Sequence, residues 1–214
     1  MTDQIQIIKP FGPTIAKFIM PQNLIENLNK YVDDMVLNEE KLKNLNHGHR
    51  LAGNVTQEFK LESDFIKSSG LLDLLGKATI SWVNATQGKK SKKFTVVSSW
   101  IVRQLENEFN PIHHHGGHLS GVGYLKMPKN LGSTVQKEKK HNYNGQLSLI
   151  HGSTMFNCNS TFNITPKVGE FYIFPNYLLH TVYPFYGKDE ERRSISFNAL
   201  IDEDIYDVYS SSAG

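Results

Sequence analysis

The sequence predicts a mainly β, α+β fold, in which helices from the first ninety or so residues support an antiparallel jelly roll. Three observations predict it. From Phe94 onward the chain is a series of short β-branched and aromatic runs, separated by Gly, Pro, Asn and Lys clusters. No helix-length apolar pattern interrupts that series, which argues against a parallel βαβ sheet. Before Phe94, apolar residues recur at helical spacing in two segments.

Taken in order, "PQNLIENLNKYVDDMV" (21–36) reads as a helix with Leu24, Leu28, Tyr31 and Met35 on one stripe, and Pro21 where a first-turn proline is tolerated. "SDFIKSSGLLDLLGKATISWVNATQG" (63–88) reads as a second, with Leu71, Leu75, Ala78 and Trp82 buried. Gly70 and Gly76 weaken it, and Gly88 is a plausible stop. The strands then follow: "FTVVSSWIVRQL" (94–105), "LSGVGYLKM", "GQLSLIHG", "TFNIT", "GEFYIFP", "LLHTVYPF" and "RRSISFNALI". The expectation is a single domain over 1–214, with a helical support region at 1–93 and a jelly-roll core at 94–201. The polar stretch 128–145 is long for a hairpin and could be a lid or a mobile loop.

Composition narrows the class. At 39% hydrophobic and 21% charged, the chain has an ordinary globular balance. A net charge of +2 is too small to argue for nucleic acid, and the lysine clusters at 88–94 and 136–142 read as solvated loops. One cysteine, Cys158, precludes an intrachain disulfide, and no 18-residue apolar run occurs. The expected setting is intracellular and cytoplasmic, away from membranes. Oligomeric state, including a homo-oligomer, is not readable.

"NPIHHHGGHLSGVGYL" holds four of the nine histidines within six residues. On a strand, His113 and His115 share one face and His114 takes the other. Such a pair at a strand end can bite one metal ion, and imidazole suits Fe, Zn, Cu and Ni. A third ligand must come from a distant strand, and His180, opening the run before "TVYP", is the best candidate. Taken alone it could equally be a turn or core residue. In "EERRSISFN", Arg192 and Ser194 lie on one strand face; a guanidinium beside a hydroxyl is a good receptor for a carboxylate. Arg192 could otherwise be a surface charge paired with Glu190 or Glu191. Trp100, Tyr124 and Asn198 alternate toward the interior, and His114 and His118 read as surface or outer-layer residues.

The order is distinctive. His180 follows His115 by 65 positions and Arg192 follows His180 by 12, all on predicted strands. The set resembles the Fe(II)- and 2-oxoglutarate-dependent oxygenases, and the wording is similar to a branch found in bacteria and phages. "NPIHHHGGHLSGVGYL", "GEFYIFPNYLLHTVYP" and "ERRSISFN" carry the resemblance, with "HRLAGN" (49–54) less specific. The resemblance implies a double-stranded β-helix with Fe(II) at its open end, held by His113, His115 and His180. It implies that Arg192, assisted by Ser194, binds the distal carboxylate of 2-oxoglutarate, within reach of the Tyr124 hydroxyl. The implied reaction uses O2, converts 2-oxoglutarate to succinate and hydroxylates a substrate, which could be a peptide side chain, an amino acid or a nucleobase. The implied location is the cytoplasm of a bacterium, phage-infected or not.

One position departs from the family pattern. Where most members carry Asp or Glu, this chain has His115. Three neutral imidazoles leave Fe(II) its full charge, which the dianionic co-substrate can offset. A second alignment would make His115 the first ligand and set Gly117 at the acid position, a halogenase-like pattern. Glu170 could supply a carboxylate from a neighbouring strand, or be a strand-end surface residue. Two other functions stay open: a cupin-like three-histidine metalloenzyme without 2-oxoglutarate, and a non-catalytic jelly-roll binding module.

Overall fold

A computed structural model describes residues 5–8, 12–46, 48, 52–134, 136 and 138–208. Two sheets face each other, and all their strand pairs are antiparallel. The larger has seven strands in the order β1-β2-β9-β6-β11-β4-β3, and the smaller has four, β5-β10-β7-β8. The strands are β1 (Gln6–Ile8), β2 (Ile15–Ile19), β3 (Gln57–Lys60), β4 (Phe94–Gln104), β5 (Asn110–His113), β6 (Leu119–Lys126), β7 (Leu147–Ile150), β8 (Thr161–Ile164), β9 (Glu170–Pro175), β10 (Leu179–Val182) and β11 (Arg192–Ile201). The eight strands from β4 to β11 form the jelly roll: seven match the expected runs, and β5 is the strand on which the histidine stretch was placed.

The larger sheet is buried on both faces, which is why "GEFYIFP" reads as a continuous rather than an alternating run. Its outer face packs on α1 (Gln22–Val36) and α4 (Leu71–Gln87), in a core that includes Leu28, Val32, Leu71, Leu75, Phe171 and Phe197. Its inner face meets the smaller sheet through Tyr124, Leu147, Leu149, Phe174 and Leu178. The α1 stripe is Leu24, Ile25, Leu28, Val32 and Met35. Tyr31 is only half-buried; its ring stacks on Phe65 at 3.8 Å and its hydroxyl donates to Glu62 at 2.7 Å.

The predicted helix over 63–88 is two helices, α3 (Ser63–Ser68) and α4. Gly70 between them has φ of +83°, a conformation that stops the first helix, and Gly88 at +67° stops the second as expected. The 1–93 region is more than helical support: β1, β2 and β3 add to both edges of the large sheet, and a short exposed helix, α2 (Glu39–Leu45), lies between them.

Strand β6 lies under aromatic rings only because it is rich in glycine. A methyl at Gly121 would collide with the Phe197 ring and lie 2.7 Å from the Tyr172 carbonyl oxygen. Gly121→Ala should therefore destabilise by about 1–3 kcal/mol through overpacking, a lowered urea midpoint with an unchanged slope. A wild-type midpoint would mean the sheet relaxes freely here.

Candidate active site

The three predicted histidines meet. The donor nitrogens of His113, His115 and His180 lie within 4.8 Å of one another, and this is the one such cluster of three among the described residues. His113 and His180 are directly opposed across β5 and β10, with ring centroids 4.3 Å apart. His115 reaches the same point by another route, because β5 ends at His113. The turn residue Asn176 clamps it: the His115 backbone N–H donates to the Asn176 carbonyl at 3.1 Å, and the Asn176 carboxamide donates to the His115 carbonyl at 3.2 Å. Gly117, at φ +84°, then turns the chain back against the Ala199 carbonyl. That is a turn requirement, and it accounts for the glycine without a halide. His114 is exposed.

Second bonds set the tautomers. The Nδ1–H of His113 donates to the Pro111 carbonyl at 2.7 Å and that of His180 to the Leu178 carbonyl at 2.9 Å. Both rings then turn a bare Nε2 lone pair inward, as metal-binding imidazoles do. The Nε2 atoms of His180 and His115 are 3.1 Å apart. Two lone pairs that close repel unless a proton or cation is shared. Two nitrogens bound at about 2.1 Å to one ion, at right angles, would be roughly 3 Å apart. The donor set fits a first-row metal ion.

The same cavity is walled by Arg192, Ser194, Trp100 and Phe174. Arg192 is 1% exposed, yet among the described residues it forms no ion pair. Its Nη1 donates to Gln104 at 3.2 Å and reaches Ser194 Oγ at 3.5 Å, while Nε and Nη2 have no partner. The Tyr124 ring lies 5.1 Å from the guanidinium, and its buried hydroxyl is likewise unpartnered. Burial pushes that phenol up to about 12, so it is a donor at neutral pH. A buried cation with orphaned N–H groups beside an orphaned hydroxyl is a cradle for a carboxylate. The residues present fit 2-oxoglutarate.

Arg193 faces the other way. It pairs with Glu191 at 2.8 Å and Asp33 at 2.7 Å, tying β11 to α1. Glu191 is thus the partner of Arg193, Arg103 and Lys126, and not of Arg192. Burial of Glu191 is outweighed by the two arginine bonds, which hold its carboxyl near 2.

Residues 98–198 match the model of the family described as "Putative 2OG-Fe(II) oxygenase". That stretch is just under half of the chain, and it holds the three histidines and Arg192. Solved structures share the chain's fold at low identity. A prolyl-4-hydroxylase from Pseudomonas putida aligns at 16% identity and TM-score 0.53, over 92% of this chain and 93% of that chain. A viral collagen prolyl hydroxylase from Paramecium Bursaria Chlorella virus-1, in a 2OG complex, aligns at 13% and 0.53, over 86% and 94%. A prolyl hydroxylase from Trichoplax adhaerens, in complex with a hypoxia inducible factor oxygen degradation domain peptide fragment, aligns at 14% and 0.53, over 92% and 84%. No curated protein sequence matches the chain. Fe(II), 2-oxoglutarate and O2 are the family's cofactor set. Among the described residues, no helix is long and apolar enough to cross a membrane.

Other expected positions resolve differently. Glu170 is engaged elsewhere, bound to Lys17 at 2.7 Å and accepting from the Tyr172 hydroxyl at 2.7 Å. His118 is buried away from the triad, stacked on Tyr206 at 3.9 Å and 3.3 Å from Glu203. Asn198 accepts from Ser120 at 2.9 Å. Among the described residues of 128–145, none lines the cavity; Asn144 and Gly145 bind the 131–132 and 184 carbonyls instead. Residues 49–51 of "HRLAGN", and 135 and 137 of the long loop, lie outside the described residues. Sequence reasoning missed Glu58, a buried carboxyl on β3 that walls the same cavity.

Burial holds all three imidazoles below the ordinary histidine range. His180 falls to about 4 and His115, which also feels His180, His113 and His114, to about 3. His113 shifts the same way despite its bond to Pro111. Neutral rings are what metal binding requires. The metal-free protein should therefore lose stability on acidification. Unfolded imidazoles take up protons below about 6.5, while folded His180 and His115 stay neutral to about 4 or lower and folded His113 is shifted the same way, so folding becomes less favourable on acidification through that window. Glu58, raised to about 7 by burial, opposes this above about 4.5, but as one group against three. A metal-free Tm that falls from pH 6.5 to 4 is the expected result; a flat or rising Tm contradicts it.

Proposed function

We propose that His113, His115 and His180 hold Fe(II), that Arg192, Ser194 and Tyr124 hold the distal carboxylate of 2-oxoglutarate, and that the enzyme hydroxylates its substrate. We also read residues 1–214 as one oxygenase-like domain, because strands from both halves share the large sheet. The observation that carries the reading is Arg192: a fully buried guanidinium with two orphaned nitrogens, on the wall of the cavity that the three histidines share.

Each residue has a defined task. The carbonyls of Pro111 and Leu178 hold two rings in the tautomer that leaves Nε2 bare. The Asn176 clamp holds the third. Arg192 forms charge-assisted bonds to the co-substrate carboxylate, and Ser194 and Tyr124 add hydroxyl donors. Trp100, whose ring lies 5.4 Å from that of His115, and Phe174, 5.2 Å from His180, shield the centre from water. When bound, Fe(II) with 2-oxoglutarate and O2 supplies the oxidising power to hydroxylate a C–H bond, one oxygen atom going to the product and one to succinate, with loss of CO2.

The absence of an acidic partner for Arg192 among the described residues favours this over a cupin-like three-histidine enzyme, which needs no buried carboxylate receptor. Prolyl hydroxylases share the fold, and peptide, amino-acid and nucleobase substrates are all compatible with the reading. The test is turnover without substrate. Aerobic protein with Fe(II) and 2-oxoglutarate should release succinate slowly, and Arg192→Ala should not at the same co-substrate concentration. Metal binding without succinate formation would favour the cupin-like alternative.

A further inference from the structure

The cavity wall carries a second unpartnered charged group. Glu58 is 1% exposed, and its Oε2 has no hydrogen-bond partner. Its Oε1 has one, the Asn110 carboxamide at 3.5 Å, the outer limit of a hydrogen bond. No Lys or Arg among the described residues pairs with it. The chain packs tightly over it: a methyl at Gly53 would lie 2.7 Å from Oε1 and 2.6 Å from the Asn110 amide.

Strand register gives the side it faces. Glu58 is paired with Val102, Val102 with Ser194, and Ser194 with Tyr124, so the four form one row across the inner face of the large sheet. Glu58 stands two strands from Ser194, roughly 10 Å. It is not part of the three-histidine cluster. The cavity thus has a cation, Arg192, and a separate carboxyl, Glu58, that have no charge partner among the described residues and do not neutralise each other. A buried carboxylate left unpaired is costly, and an incoming N–H cation would relieve that cost. The co-substrate, a dianion, cannot play this part; the substrate can.

We propose that Glu58, steadied by Asn110, is a specificity-determining residue, and that the substrate presents an ammonium or guanidinium group to it. This rests on the oxygenase reading of the cavity. Burial raises the carboxyl to about 7, and a bound cation would draw it back to the ionised form.

The test uses the full chain loaded with Zn(II), a diamagnetic ion that imidazole also suits, and 2-oxoglutarate. The probes are n-butylammonium and methylguanidinium against their neutral analogues n-butanol and methylurea, followed by saturation-transfer NMR. At least one cation should bind saturably and about 10-fold or more tighter than its neutral counterpart. Glu58→Gln should remove that preference. Equal binding of cation and neutral probe, no binding of any probe, or a preference that survives Glu58→Gln overturns the proposal. If the variant does not fold, the comparison on the wild type still decides. Metal and 2-oxoglutarate occupancy are read on the same samples. Glu58-dependent cation binding without co-substrate binding would support Glu58 while contradicting the oxygenase site. Full occupancy with no cation preference would do the reverse.

Discussion

Arg192→Ala should weaken 2-oxoglutarate binding by roughly 30- to 1000-fold, the loss of about 2–4 kcal/mol of bidentate, charge-assisted bonding in a site closed to water. Fe(II) affinity should be nearly unchanged, because the substitution touches no imidazole. Arg192→Met sharpens the point. It keeps volume and removes the charge, so the metal-free protein should be as stable as the wild type or more so, since an unpaired buried guanidinium is a burden that only the co-substrate relieves. Arg193→Ala should show the opposite profile. Co-substrate affinity should stay intact while stability falls by roughly 1–3 kcal/mol, as Glu191, Asp33 and Asn29 lose their shared partner. Calorimetric 2-oxoglutarate affinities and Tm values for the three variants check this; the reverse ranking of Arg192 and Arg193 would contradict the strand register.

His180→Ala should lower Fe(II) affinity by more than the ~10–100-fold that loss of an outer hydrogen-bond partner costs a metal site. It removes one of three protein donors and leaves the Nε2 of His115 without its partner across 3.1 Å. His114→Ala, an exposed neighbour, should leave the affinity unchanged. Anaerobic Fe(II) competition against a chelator measures both. Equal losses would mean the cluster holds the metal non-specifically.

The strands of the jelly roll were legible because short β-branched runs between turn residues have few alternatives, and β11 shows why register was legible too. Arg192, Ser194 and Ser196 alternate against Arg193, Ile195 and Phe197, and a polar inner face makes sense only around a charged ligand. The alternation runs on to the strand end: Ala199 and Ile201 join Ile195 and Phe197 in the helical core, and Leu200, on the Arg192 side by strict period two, is 39% exposed. His113 and His115 were expected to share a strand face; they do meet, but His115 lies past the strand end and depends on Asn176, a contact between residues 61 positions apart. Strands β1 to β3 were missed because three to five residues show no period. The helix α2 had a readable start, with Asn38 accepting from the Lys41 N–H at 3.0 Å and Glu39 and Glu40 in the first turn, but it is only seven residues long and packs just Leu42 and Leu45, partly buried, on the core. Glu58 was invisible for the same reason as β3: one acid in an unrecognised edge strand looks like any surface carboxylate.

The central claim is that three histidines and Arg192 together form an Fe(II) and 2-oxoglutarate site without a carboxylate ligand. Anaerobic titration in the visible range tests it most directly. A weak charge-transfer band should appear only when Fe(II) and 2-oxoglutarate are both present, saturate at one of each per chain, and be absent in Arg192→Met at the same concentrations. Fe(II) binding with no band at saturating 2-oxoglutarate, or a band indifferent to Arg192, would contradict it.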